Sequence, residues 1–253
     1  MISKIEFKEK ARLFKVPLSS IERDYAQSWL LSQLPTMAFK GGTAIRKAYV
    51  ENYRFSDDLD FTQLETGNVN EVKQNIRKAI KRARNASGIL FLDKIKAEEV
   101  LNGYTFHIYF RISRITGDPL KIKIDVTKHE NEVLLHQVQK KKIIHPYSDI
   151  IDDHIMVYSL EEMFAEKMRS LFERTRPRDL YDVWYLHKTI TPDTSLFQRK
   201  CEMKSVEPDI YELISRRVHY EKAWSGSLQH QLSPLPPVSD VFDEVILFLK
   251  RIL

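Results

Sequence analysis

Cysteine occurs once in the 253 residues, at Cys201. A single thiol excludes a disulfide within the chain and any zinc site built from several cysteines, and it fits a reducing compartment, so a cytoplasmic location is expected. No apolar run approaches the roughly 18 to 20 residues that a spanning helix needs, so no membrane partner is expected. The opening Met-Ile-Ser-Lys-Ile-Glu-Phe-Lys has no apolar core of the secretory kind. The eight histidines show no His-x-x-x-His spacing, which removes support for zinc hydrolysis. Neither Gly-x-Ser-x-Gly nor Gly-x-x-x-x-Gly-Lys-Ser/Thr occurs, so the usual serine-hydrolase and P-loop readings fall away. Internal repeats and low-complexity stretches are absent as well.

What is present is an ordinary globular balance, 43% apolar and 30% charged residues, in a chain long enough for one large domain or two modest ones. The net charge of +5 and a pI near 9.1 favour a polyanionic partner.

The chain is organised around Gly41 to Phe61. Gly41 and Gly42 lack the Cβ that would hold a phosphate away from backbone amides, and Thr43 to Tyr49 is expected to open a helix whose positive end faces the same anion. Thr36 to Phe39 reads as a short buried strand feeding this turn. Next, in Arg54-Phe55-Ser56-Asp57-Asp58-Leu59-Asp60-Phe61, Asp58 and Asp60 alternate with Leu59 and Phe61. On a strand this puts both carboxylates on one face. Two aligned acids with no base between them repel unless a cation joins them, and hard oxygens suit Mg²⁺.

Around this stretch the scaffold is periodic. Ile5 to Phe14 is expected to form a short helix closed by Pro17, and Ser19 or Ser20 to cap a second one with Ile21, Tyr25, Trp29 and Leu34 as its apolar stripe. Asn68 to Ser87 reads as a helix with Val72, Ile76, Ile80 and Ala83 on one face and Gly88 as its stop. Its other faces carry Lys73, Arg77, Lys78, Lys81, Arg82 and Arg84, either a solvated surface or, through Arg77, Lys81 and Arg84, a nucleic-acid contact. Two alternating strands follow, with Tyr104, Phe106, Ile108, Phe110 and Ile112 on one face of the first. In the second, Leu120, Ile122, Ile124 and Val126 oppose Lys121, Lys123 and Asp125. Beside Asp58 and Asp60, Asp125 becomes the natural third metal ligand, placed to help activate an attacking hydroxyl. Three carboxylates with a glycine phosphate loop are an arrangement for moving a nucleotidyl or phosphoryl group from an NTP.

Downstream, Ser159-Leu160-Glu161-Glu162 opens a helix whose apolar stripe includes Lys167. That lysine either snorkels or brings a compact charge to a triphosphate. Pro177 suits a helix start, with Asp179 and Asp182 one turn apart near the positive end. They stabilise that end, orient Lys167 or Arg178, or contact a nucleotide. Beyond Thr191 the chain reads as helices around Pro234 to Pro237, ending in an amphipathic helix from Asp240. Arg216, Arg217 and Lys222 with Tyr220 and Trp224 form either an aromatic core with a charged rim or a base-stacking surface.

Gly-Gly-Thr-Ala-Ile-Arg, Arg-Phe-Ser-Asp-Asp-Leu-Asp-Phe, Lys-Ile-Asp-Val at Lys123 to Val126, and Glu-x-x-x-x-Lys ahead of Arg-Pro-Arg-Asp-Leu-Tyr-Asp-Val-Trp resemble, in order, the motifs of the AbiEii/AbiGii toxin nucleotidyltransferases. The resemblance covers about residues 35 to 190, and the Trp224 region is similar to the family's C-terminal part. It implies an α/β (α+β) fold: a nucleotidyltransferase-like mixed sheet with flanking helices over 1–150, then a mainly helical part over 151–253. It further implies the toxin of a toxin–antitoxin or phage-defence pair, with an antitoxin as partner and RNA, tRNA acceptor ends included, as target. Carried over, Gly41, Gly42 and Ser56 bind phosphate, Asp58 and Asp60 bind metal, Asp125 is the third acid, and Lys167 and Asp179 are the later essential pair. Thr43, Arg46 and Lys167 complete the expected nucleotide contacts, and Asp182 is added to them from its helical spacing to Asp179. Ile45 stands where the family often has leucine. Two other readings stay open: transfer to a protein or small-molecule hydroxyl on the same site, and a non-catalytic nucleotide- or RNA-binding module.

Overall fold

The computed structural model describes residues 1–114, 116–132 and 134–253. The chain forms two compact units, Met1–Tyr158 and Ser159–Leu253.

The first unit is built on a seven-stranded mixed sheet. In chain order its elements are α1 (Lys4–Phe14), α2 (Leu18–Leu31), β1 (Ala38–Lys40), α3 (Gly41–Ala48), β2 (Asp58–Thr62), α4 (Val69–Ser87), β3 (Leu90–Val100), β4 (Gly103–Arg111), β5 (Leu120–Thr127), β6 (Gln139–Lys142) and β7 (His154–Val157). The strand order is β3-β4-β5-β2-β1-β7-β6, with β2 parallel to β5, β1 parallel to β7, and the other neighbours antiparallel. The first unit extends to Tyr158 because β7 pairs with β1 through Phe39 and Val157.

Period-2 alternation gives this sheet two unlike faces. Leu59, Phe61, Phe106, Ile108, Phe110, Ile122, Ile124 and Val126 share one face and are buried. Each such side chain contributes about 1.5–3 kcal/mol on leaving water. Helices α2 and α4 pack beside each other and onto this face. Helix α4 turns Val72, Ile76, Ala79, Ile80 and Ala83 inward. It starts at a reciprocal capping box between Asn68 and Glu71 and ends at Gly88, whose φ of 73° is left-handed.

Several boundaries differ from the sequence expectation. Helix α2 begins at Leu18 with Pro17 as its cap residue, so Ser19 and Ser20 lie within its first turn and do not cap it. Proline's fixed φ lets the helix begin right after it, two to three residues before the expected start. The helix ends at Leu31, which leaves Leu34 outside the stripe. Glycines 41 and 42 form the first turn of α3 and do not precede it.

The second unit is helical: α5 (Leu160–Glu173), α6 (Pro177–Leu186), α7 (Thr194–Met203), α8 (Ile210–Ser215), α9 (Arg217–Leu228) and α10 (Val238–Ile252). Ser159 caps α5 by accepting from the Glu162 amide at 3.1 Å, and Pro177 is the first residue of α6. Met163, Phe164, Leu171, Leu180, Val183, Val245 and Leu249 build the core. Tyr220 and Trp224 join it: Trp224 donates Nε1 to the Pro236 carbonyl at 2.9 Å. Arg217 rims the core by pairing with Asp243 and Glu221. The aromatic cluster is therefore packing, and no base can stack on rings buried this way.

Candidate active site

Strand register brings the acidic residues together. Asp60 lies opposite Asp125 on the parallel neighbour β5, and Asp58 lies opposite Lys123. Parallel neighbours are about 4.8 Å apart and residues in register share a face, so Asp58, Asp60 and Asp125 all project from the polar face of the sheet. Across β4 the rows continue, Asp125 to Thr105 and Lys123 to His107. Asp125 uses both oxygens: Oδ1 accepts from Thr105 Oγ1 at 2.6 Å and Oδ2 from Lys123 Nζ at 2.5 Å. Burial would lower the Lys123 pKa, but the hydrogen bond to Asp125 and the charges of Asp125, Asp58 and Asp60 raise it above its ordinary value. Lys123 thus stands among the three acids. The Lys-x-Asp spacing on β5 is visible in the sequence, whereas the register that faces Lys123 to Asp58 is not.

The glycine turn abuts this acidic row. Gly41 has φ +82°, a conformation L side chains rarely adopt, and a Cβ there would overlap the Asp60 carboxylate. A Cβ on Gly42 would come within 2.6 Å of Arg54 Nη2 and 3.3 Å of Ser56 Oγ. The turn is therefore a backbone surface that carboxylate, guanidinium and hydroxyl approach directly. Arg54, buried and donating to the Phe55 carbonyl, lies against Gly42, a contact that no spacing in the sequence reveals.

Two expected nucleotide contacts are structural in this fold. Thr43 is buried and donates its hydroxyl to the Asp58 carbonyl at 2.5 Å, which ties α3 to the start of β2. Arg46 is 2% exposed: Nε donates to Asp24 Oδ1 at 2.7 Å, and the guanidinium lies 3.8 Å from the Phe55 ring centroid. Its aliphatic and planar surfaces are used inside the core, out of a nucleotide's reach. Asp24 also accepts from Lys47 Nζ at 2.7 Å and from the Tyr147 hydroxyl at 2.8 Å. Burial raises the Asp24 carboxyl, but Arg46 and Lys47 outweigh it and hold the group well below its ordinary range. Burial brings Lys47 down to about 8 in spite of Asp24. Helix α2 pins the acidic loop from the other side, with Gln27 Nε2 donating to the carbonyls of Ser56 and Asp57 at 3.1 and 3.0 Å and Arg23 pairing with Asp57.

In the second unit, Lys167 Nζ sits between Asp179 Oδ1 at 2.7 Å and Asp182 Oδ2 at 2.8 Å. Arg174 Nε meets the other Asp179 oxygen at 2.8 Å. Burial raises Asp179, yet Lys167 and Arg174 hold it well below its usual value. Asp182 is fully buried, so it orients Lys167 and is not a surface that a nucleotide touches. Two lysine and arginine charges face two carboxylates, which makes this cluster formally neutral.

Helix α4 lies on the apolar side of the sheet, opposite the carboxylate face. Arg77 and Lys81 are exposed on it. Arg84 is engaged locally, donating to the Phe91 carbonyl and pairing with Asp93 at 2.6 Å.

Asp58, Asp60 and Asp125 are the residues that could hold a divalent cation. Their hard oxygens and shared face suit Mg²⁺. Among the described residues no three His, Cys, Asp or Glu side chains converge as a formed cage, and Asp125 is turned to Thr105 and Lys123.

Residues 26–246 match the family model described as nucleotidyl transferase AbiEii toxin, type IV toxin–antitoxin system. The chain belongs to this family. Among solved structures it is similar to the nucleotidyltransferase toxin MenT4 from Mycobacterium tuberculosis H37Rv, with 19% identity, a TM-score of 0.72, and 99% of this chain and 90% of that one covered. It is also similar to a candidate nucleotidyltransferase from H. pylori, at 19% identity, TM-score 0.58, and coverage of 99% and 96%. No curated protein matches the chain. Family and fold together make it a nucleotidyltransferase, and among its described residues no helix is long and apolar enough to cross a membrane.

Proposed function

We propose that this family member transfers a nucleoside monophosphate from an NTP to the 3′-hydroxyl of an RNA, tRNA ends included, and that it does so in the cytoplasm as a toxin restrained by a cognate antitoxin. The observation that carries the reading is the register of Asp58, Asp60 and Asp125 on one sheet face beside the Gly41-Gly42 turn. In the reaction the attacking hydroxyl oxygen bonds to the α-phosphorus, the bond to the bridging β-phosphate oxygen breaks, and pyrophosphate leaves. The hydroxyl proton passes to a carboxylate, here Asp125. Asp58, Asp60 and Asp125 would hold Mg²⁺, which when bound neutralises triphosphate charge and fixes the reacting oxygens. Backbone amides of the glycine turn, with Ser56, bind phosphate oxygens, while the buried Arg54 packs behind Gly42. Within the second unit, Asp179 and Asp182 hold the Lys167 ammonium in place, and the family resemblance carries its nucleotide role. Arg77 and Lys81 serve only the body of a large RNA, since α4 lies on the far face of the sheet from the acids.

The test is incubation with Mg²⁺, each α-labelled NTP in turn, and total tRNA, with Asp60→Asn in parallel. Label enters RNA with the wild type, and Asp60→Asn falls by at least about a hundredfold, the scale of losing a group that stabilises transition-state charge. Label on protein or on a released small molecule would move the acceptor, and no label anywhere would leave a binding module.

A further inference from the structure

We propose that Lys123 is a resident counter-cation of the carboxylate face: it keeps Asp58, Asp60 and Asp125 together before a divalent cation arrives, and its ammonium must leave Asp125 for that cation to bind. The inference rests on the metal reading above and adds a positioning residue to it. Three acids on one face repel, and repulsion this close would splay β2 from β5 unless a positive charge intervened. Lys123 is placed to supply it. Its Cα is in register with Asp58, its ammonium is 2.5 Å from Asp125 Oδ2, and its neighbour across β4 is His107, whose pKa burial and the lysines at 121 and 123 lower. Asp125 Oδ1 is meanwhile taken by Thr105. A cation entering the cluster therefore competes with an ion pair already formed. The flexible stem of lysine allows the ammonium to swing aside, where a planar arginine fork would not yield as readily.

One substitution should have opposite effects in two conditions. Lys123→Met keeps the stem and removes the charge. In EDTA it melts lower than the wild type, and the added change Asp125→Asn recovers most of that loss, because fewer acids then repel. With Mn²⁺ alone as probe, followed by the electron paramagnetic resonance of the free ion, Lys123→Met binds about three- to tenfold more tightly than the wild type, within the range of partly exposed to partly buried ion pairs. Lys123→Arg binds no more tightly than the wild type. Equal or weaker Mn²⁺ binding by Lys123→Met, with binding by the wild type intact, overturns the counter-cation and leaves the metal site standing. Failure of wild type and Lys123→Met alike to bind Mn²⁺ overturns both. A melting loss that Asp125→Asn does not recover shows that Lys123 merely packs.

Discussion

At the scale of residues, the buried charges decide where stability and function separate. Asp24 holds Arg46 and Lys47 inside the first unit, so removing it strands two cations in a low dielectric. Asp24→Ala is expected to cost about 3–5 kcal/mol, the range for breaking a buried ion pair from one side, read as a lower urea midpoint with the slope unchanged. The pH dependence follows the carboxylates. Asp24 and Asp179 both lie below their ordinary value of 3.8 in the fold. Each therefore contributes stability that is complete well above 3.8, at about pH 5, and is lost as the pH falls through 3.8 towards the lowered folded value. The share of the acid-induced fall in melting temperature that these two carboxylates carry should lie below about pH 4, and Asp179→Asn should flatten part of it. Gly41→Ala tests the turn: a left-handed conformation costs an ordinary residue about 1–2 kcal/mol, and the added methyl displaces Asp60. Loss of labelled transfer far beyond the loss of stability is the expected outcome.

At the scale of elements, α4 offers a separation of RNA binding from chemistry. Its exposed Arg77 and Lys81 stand behind the sheet, so Arg77→Gln with Lys81→Gln should weaken RNA binding and reduce the salt slope by about 1.4 to 1.8, two contacts at about 0.7 each on a single strand or 0.9 each on a duplex. The transfer rate at saturating RNA should not change; a fall in that rate would put α4 against the reacting end. The elements that alternate cleanly, β2, β4 and β5, and the capped α4 are legible in the chain, because period and caps are local properties. Strand β3 is not, since its Asp93, Lys94, Lys96, Glu98 and Glu99 and the irregular pairing between Phe91 and Ile95 suit an exposed sheet edge. Strands β6, polar along Gln139–Lys142, and β7, four residues long, carry too little pattern to read. The same locality explains the site. Asp58, Asp60 and Gly41 declare themselves by spacing, whereas Thr105, Lys123, Gln27 and Asp24 join only through pairings between distant segments. Arg46 and Thr43 lie beside the glycines in sequence, yet the helix they occupy turns them into the core.

At the scale of the whole molecule, the family and the fold make a nucleotidyltransferase, and the basic balance of +5 fits a polyanionic acceptor. Mass action gives a check on the metal site without turnover: Mg²⁺ with a non-hydrolysable nucleotide should raise the melting temperature of the wild type, and Asp60→Asn should lose most of that gain. The most direct measurement is transfer from an α-labelled NTP to tRNA whose 3′ ends are either intact or oxidised with periodate. The account predicts label on the intact RNA and none on the oxidised RNA. Equal labelling of both, or label on protein alone, would contradict transfer to an RNA 3′-hydroxyl.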